Sequence, residues 1–193
     1  MENLIEIRWH GRGGQGAKTA ALLMGEAMLA AGKYIQAFPE YGPERTGAPV
    51  ASYNRIAEGP IYIHCQVTDP DVVVVLDPTL MGTVDVTAGL SEDGKIIINT
   101  GDSPAQLRLA MKLRGRHVYT VNASKIAQET IGRDIPNTPM LGAMARVTGL
   151  LSLEHLLSDT KTRLEKKFRG KPAIIEGNVR AIERAYNEVV GES

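Results

Sequence analysis

Gly11, Gly13 and Gly16 fall at the spacing G-x-G-x-x-G within Gly11-Arg12-Gly13-Gly14-Gln15-Gly16. Glycines so spaced let a chain turn tightly and bring bare backbone against an anion. A helix that follows adds its unpaired N–H groups and the positive end of its dipole. The chemistry on offer is the holding of a phosphate or another anion. Two familiar versions of such a loop do not fit. A dinucleotide fingerprint needs an acidic residue ending the second strand, and here Tyr34–Phe38 ends without one; Glu40 arrives only behind Pro39. A P-loop needs its lysine directly after the last glycine, but Ala17 separates Gly16 from Lys18-Thr19, which turns the lysine about 100° around the helix. The segment is therefore an anion cradle of another kind, or a tight turn that holds no ligand.

A second segment, Pro39-Glu40-Tyr41-Gly42-Pro43-Glu44-Arg45-Thr46-Gly47-Ala48-Pro49, combines rigid prolines with tightly turning glycines. Arg45 presents a planar fork of donors suited to phosphate or carboxylate. It can equally pair with Glu40 or Glu44 and hold the loop in shape. His10, at the mouth of the glycine loop, is either a ligand donor or a satisfied histidine at a strand end. His64, His117 and His155 have no metal-ligand spacing, and no nucleophile elbow or Ser/His/Asp order is present. Asp69-Pro70 and Asp77-Pro78 read as turn and cap residues. The basic run from Lys161 to Lys171 reads as a solvated helix face, and Met140 and Met144 as core or subunit-interface filling. No catalytic set is visible.

These residues need elements to position them. Ile5–His10 reads as a strand feeding the glycine loop, and Ala17–Ala31 as a helix stopped by Gly32. Further strands are expected at Tyr34–Phe38, Pro49–Ile56, Asp71–Leu76, Lys95–Asn99 and His117–Val121, with a short edge strand at Ile61-Tyr62-Ile63. Ser103-Pro104 and Asn122 open helices, the second ending near Gly132. From residue 137 the chain reads as wholly helical, the last helix running to about Val190, with exposed apolar interface surface expected around Met140–Leu157. The fold class is α/β: a mostly parallel sheet, helices on both faces, a helical C-terminal third, and a single domain over residues 1–193. Ligands of such sheets bind beyond the carboxyl ends of the strands. That ranks the glycine loop first, the Pro39–Pro49 loop second, Asp77-Pro78-Thr79 third and Asn99-Thr100-Gly101-Asp102 fourth.

Composition narrows the class. Lys+Arg and Asp+Glu both number 22, so no global field gathers nucleic acid or an anionic membrane. No apolar run approaches the length of a membrane span, and the first residues do not resemble a signal peptide. The single cysteine, Cys65, rules out an internal disulfide and a cluster held by this chain alone. The expected compartment is the cytoplasm.

Two loops and one helix entry together carry a resemblance. His10–Gly16, Gln36–Val50 and Asn137-Thr138-Pro139-Met140-Leu141-Gly142-Ala143 are similar to the gamma subunit of 2-oxoacid:ferredoxin oxidoreductases, of which pyruvate:ferredoxin oxidoreductase is the best-known member. Thr46 departs from the family's frequent second basic residue, which argues against two charged contacts from that loop. The resemblance implies a Rossmann-like domain beside the active site of a hetero-oligomer. Alpha, beta and delta partner subunits would hold thiamine diphosphate, Mg2+ and [4Fe-4S] clusters, and ferredoxin would accept the electrons. It further implies that this chain receives coenzyme A, through Gly11, Gly13, Gly14, Gln15, Gly16 and Arg45. The other reading is a stand-alone nucleotide- or anion-binding module without catalysis.

Overall fold

The opening strand, glycine loop and helix fold as one unit. In the computed structural model, which describes residues 4–40 and 47–192, β1 spans Ile5–Arg12 and α1 spans Ala17–Ala30. Side chains alternate across β1. Ile7 and Trp9 are fully buried on one face, and Glu6, Arg8 and His10 point to the other.

β2 (Tyr34–Pro39), β3 (Pro49–Ala57), β4 (Val72–Val75), β5 (Lys95–Asn99), β6 (His117–Val121) and the short β7 (Val190–Gly191) complete a seven-stranded sheet of order β2-β3-β1-β4-β5-β6-β7. The central strands β1, β4, β5 and β6 are parallel. At the margins β3 runs against both β1 and β2, and β7 against β6. The expected parallel sheet thus holds at the centre and gives way at the edges. The connection 40–48 is too short for a crossover, which takes about a dozen residues or more. Because β2 and β1 both oppose β3, they share a direction, and their carboxyl ends emerge at the same edge of the sheet. Residues 61–63 form no strand.

The anticipated caps close their helices. Ser103 and Gln106 form a reciprocal capping box at α2 (Pro104–Met111), with proline in its first turn. The Asn122 side chain accepts from the Lys125 N–H at the start of α3 (Ala123–Ile131), and Gly132 ends it with a left-handed φ of 74°. α4 (Asn137–Thr148), α5 (Leu153–Lys167) and α6 (Pro172–Glu188) make up most of the C-terminal third. The tail is not wholly helical: β7 returns to β6, and Glu192 behind it pairs with Arg108.

One face of the sheet carries the main core. Ile7, Trp9, Val72, Val74 and Ile97 pack there against α1, α3, α4, α5 and α6. Trp9 Nε1 donates to Asn54 Oδ1 (2.8 Å), and Asn54 Nδ2 donates to the Ala21 carbonyl (2.8 Å), tying β1, β3 and α1 together. Met140, Leu141, Ala143 and Met144 of α4 are fully buried, as is Leu156. The exposed apolar surface expected around Met140–Leu157 is therefore absent at these positions. α6 covers it, and a Cβ on Gly142 would lie 2.1 Å from the Ile182 carbonyl oxygen.

The opposite face is divided. Over β4–β6 it is apolar, with Val73, Val75, Ile96 and Ile98 packed against α2 and a 3-10 turn at Pro78–Gly82. Over β1–β3 the irregular segments 58–71 and 84–88 cover it and bond to Gln36, Arg55, Tyr53 and Arg8. Arg55, 1% exposed, donates to Glu6 Oε1 (2.6 Å) and Gln36 Oε1 (3.3 Å) and lies over the Phe38 ring. Helices do cover both faces, but unevenly.

Candidate functional site

The glycine loop is locked from behind. The Arg12 N–H donates to Gln15 Oε1 (2.7 Å), and Gln15 Nε2 donates to Asp77 Oδ2 (2.8 Å). Arg12 Nε reaches the same Asp77 oxygen (3.1 Å), and its guanidinium also bonds Thr79 Oγ1 (2.8 Å) and the Gly47 carbonyl (3.1 Å). Asp77 Oδ1 accepts from the Thr79 N–H (2.9 Å) and Oγ1 (2.6 Å). Burial alone would raise the Asp77 carboxyl, but the hydrogen bonds from Thr79 and Gln15, with Arg12 beside them, hold it below its ordinary value. Gln15 is thus engaged in shaping the loop. Asp77, read from sequence as a cap, is that and also the anchor of the loop. Its place third among the carboxyl-edge loops was the available signal.

The stem of the second loop is zipped to the first. The Gly13 N–H donates to the Ala48 carbonyl (2.9 Å), and the Gly47 N–H returns to the Gly13 carbonyl (3.1 Å). Arg45 lies outside the described residues, as do Tyr41, Glu44 and Thr46. Glu40, at the described end of that loop, accepts from Tyr53 Oη (2.5 Å). The fourth loop stands apart. Asn99 is stitched to the Leu76 carbonyl (2.8 Å) and to Ser124 (3.0 Å), a purely structural use.

Between the loops lies a cleft of about 440 Å³, lined by Arg12, Gly14, Gly16, Lys18, Glu40 and Ser52 among others. It meets α1 at its N-terminus. Gly16, the N-cap residue, has a left-handed φ of 86° and no side chain to bond the first turn. Among the described residues the N–H groups of Gly14, Gly16, Ala17 and Thr19 have no acceptor. Gly14 has φ +101°, and among the described residues nothing lies within 4 Å of where a Cβ would stand. A Cβ on Gly16 would lie 2.6 Å from Asn137 Nδ2, and one on Gly11 would lie 3.2 Å from the Ala17 Cβ. The Asn137–Ala143 motif thus packs directly behind the glycine loop. Ser52, 1% exposed, has an unpartnered Oγ in this wall. Lys18, unsuited to a P-loop role, still lines the cleft.

His10 serves a different space. It lies on the far face of β1, in the wall of a second pocket, and its Nε2 has no partner among the described residues. Burial and then the Arg8 charge push its pKa down to about 4, so it is neutral near pH 7. The histidine is neither satisfied nor aimed at the glycine loop.

Among the described residues no helix is long and apolar enough to cross a membrane. Residues 6–188 match the family model of pyruvate ferredoxin/flavodoxin oxidoreductase. The common gamma subunit of the pyruvate/ketoisovalerate oxidoreductases of Pyrococcus abyssi is 48% identical, over 96% of this chain and 97% of that one. The pyruvate synthase subunit PorC of Thermotoga maritima is 49% identical over 96% of this chain and 94% of its own length. The crystal structure of the pyruvate oxidoreductase subunit PORC from Thermotoga maritima superposes with a TM-score of 0.86 at 45% identity, covering 100% of both chains. Fold, loop constellation and whole-length similarity agree: this chain belongs to the pyruvate ferredoxin/flavodoxin oxidoreductase family.

Proposed function

We infer that the chain is the gamma subunit of a multi-subunit 2-oxoacid:ferredoxin oxidoreductase, with pyruvate the favoured substrate, and that it receives coenzyme A. The assembled enzyme oxidatively decarboxylates the 2-oxoacid, forms the acyl-CoA and CO2, and passes electrons to ferredoxin. Similarity over nearly the full length to chains named as subunits favours this reading over a stand-alone nucleotide-binding module. Alpha, beta and delta partners hold thiamine diphosphate with Mg2+ and the [4Fe-4S] clusters. The donor set here agrees, since one cysteine cannot supply the thiolates of a cluster. The chain acts as one domain over residues 1–193, in the cytoplasm, and is inactive alone.

One observation carries the site reading: an uncapped helix N-terminus and a bare glycine backbone open into the same cleft. Such a terminus is completed by an anion, and a phosphate of coenzyme A supplies one. Gly14, Gly16 and the first turn of α1 face the phosphate. Gly11 acts by close packing, Gln15 by holding the loop, Gly13 by joining the two loops, and Arg45 by supplying charge. Kinetics of the reconstituted complex with coenzyme A varied provide the test. Arg45→Ala should raise KM for coenzyme A about 10- to 150-fold, the loss of one charge-assisted contact, with KM for the 2-oxoacid nearly fixed. The effect should shrink with dephospho-coenzyme A if Arg45 meets the 3′-phosphate. A complex that falls apart, with its surviving fraction kinetically normal, makes Arg45 a loop-shaping residue instead.

A further inference from the structure

β2 is an edge strand of the sheet. The Glu40 N–H donates to the Ala51 carbonyl (3.0 Å), so antiparallel alternation directs the main chain of Tyr34, Gln36 and Phe38 to β3 and that of Ile35, Ala37 and Pro39 outward. Among the described residues, no loop bonds the outward groups of Ile35 and Ala37. An open edge invites another strand unless charge, proline or a cover blunts it. From Tyr34 to Phe38 there is neither a charge nor a proline. Apolar side chains also gather here. Leu22, Gly25 and Leu29 form one stripe of α1, and Gly25 rests on β2: a Cβ there would lie 2.8 Å from Ile35 Cδ1 and 3.0 Å from Ala37 Cβ. Leu22 and Leu29 are nevertheless exposed, Leu29 by 61%, as is Tyr34 by 48%.

This edge is complementary to itself. With a two-fold axis at Gln36, Ile35 of each copy exchanges both main-chain bonds with Ala37 of the other, and every outward N–H between Tyr34 and Phe38 finds an acceptor. Pro39, with no N–H to give, falls beyond the last pair. Tyr34 then lies across from Phe38 of the other copy, an aromatic pair of the kind that stabilises sheets. The same axis passes beside Gly25, which sits between Ile35 and Ala37, and so sets Leu22 of one α1 against Leu29 of the other. Because α1 packs on both β2 and β3, the two helices stand about two strand spacings apart, roughly 10 Å, an ordinary distance for packed helices. Charge agrees. A two-fold axis brings a charge against its own copy, so a self-pairing surface needs its charges compensated. Glu26, within the stripe, is paired with Arg163 (2.9 Å), and Lys33, at the end of the strand, with Glu58.

We propose that two copies of this chain pair antiparallel through β2, about a two-fold axis at Gln36, into one continuous sheet with their α1 helices side by side. The proposal does not depend on the coenzyme A reading above. Sedimentation equilibrium of the full chain tests it, and a dimer should form in the micromolar range. Ala37→Pro removes an outward N–H where an edge strand tolerates proline, as Pro39 shows two residues on. It should weaken the dimer about 10- to 100-fold and leave the thermal unfolding of the monomer unchanged. Leu22→Lys and Leu29→Glu should each weaken the dimer about 3- to 10-fold. The double variant should regain it, because position 22 of one copy meets position 29 of the other. If the proline variant fails to fold, this compensation decides by itself. A chain that stays monomeric at millimolar concentration overturns the proposal. So does a dimer that Ala37→Pro leaves intact, or one in which Leu22→Lys and Leu29→Glu do not compensate. If the chain alone is monomeric and Ala37→Pro blocks assembly with the partner subunits, the edge receives another subunit's strand and the second copy is overturned.

Discussion

The helix-covered face of the sheet and the face beneath segments 58–71 and 84–88 achieve burial by opposite means, although the same strands supply both. On the first, Ile7, Trp9 and Ile56 join α1, α4 and α6 in a continuous apolar core in which Asn54 is paired, while Ser52, at its edge in the cleft, keeps an unpartnered Oγ. On the second, Glu6, Arg8, His10, Tyr53 and Arg55 are packed under irregular chain, and some of their atoms are left without partners. The first arrangement gains its stability from apolar area removed from water, about 25 cal/mol per Å². The second gains little net stability, because charge desolvation offsets pairing. Chains that break the apolar-core rule tend to do so at functional sites. The two faces thus divide labour: one holds the fold, and the other keeps polar groups poised at the edge where both pockets open.

Trp9→Ala should sharpen this contrast most. It empties the largest fully buried side chain and strands Asn54 Oδ1, so about 3–5 kcal/mol of stability should be lost in urea denaturation. A loss below about 1 kcal/mol would show that the helix-covered face is not the stabilising one.

The next effect is one of pH. The unfolded chain protonates His10 near 6.5, whereas the folded chain resists until about 4. The unfolded state therefore binds more protons in that window, and stability falls as pH drops from 6.5 toward 4. The contribution is about 3 kcal/mol. His10→Leu should flatten the slope of stability against pH between 4 and 6.5, and an unchanged slope would mean that His10 is not held neutral. Asp77 acts in the same direction at lower pH: its pKa is depressed, so its contribution is present above the ordinary carboxylate pKa and is lost as pH falls through the folded value.

Glu6→Ala comes next. Arg55, with a side chain 1% exposed, loses its ion pair but keeps Gln36, and Glu6 is itself 19% exposed. The loss should be about 2 kcal/mol, below the full cost of breaking a buried pair. A neutral result would place Arg55's stability in its packing over Phe38. Cys65→Ser should fall at the bottom, within about 0.5 kcal/mol by thermal unfolding, because the thiol is exposed and accepts one long hydrogen bond from Arg55, at 3.9 Å. A larger loss would mean that segment 58–71 is anchored through its sulfur.

Much of this molecule was legible from local signals. Ser103-Pro104, Asn122 and Gly132 act within one turn of themselves, and each does in the structure what its type dictates. The strand, glycine loop and helix of residues 5–30 are equally local. The short 40–48 connection itself signals an antiparallel neighbour, because a parallel crossover takes about a dozen residues or more.

What the chain's order alone could not decide was which elements become neighbours. Only the sheet order sets β4 beside β1, which brings Asp77 and Thr79 to Arg12 and Gln15. Only the antiparallel β3 carries Ser52 to the start of α1 and Tyr53 to the opposite face with His10. Backbone conformation, capping and amphipathic alternation act over a few residues, so the amino-acid sequence by itself determined the glycine loop, the helices and the two-sided character of β1. The partners of Asp77, the solvent exclusion around His10 and the wall shared by two pockets join residues tens of positions apart. They exist only once the sheet has ordered its strands, because hydrogen bonds and desolvation depend on distance in space rather than along the chain.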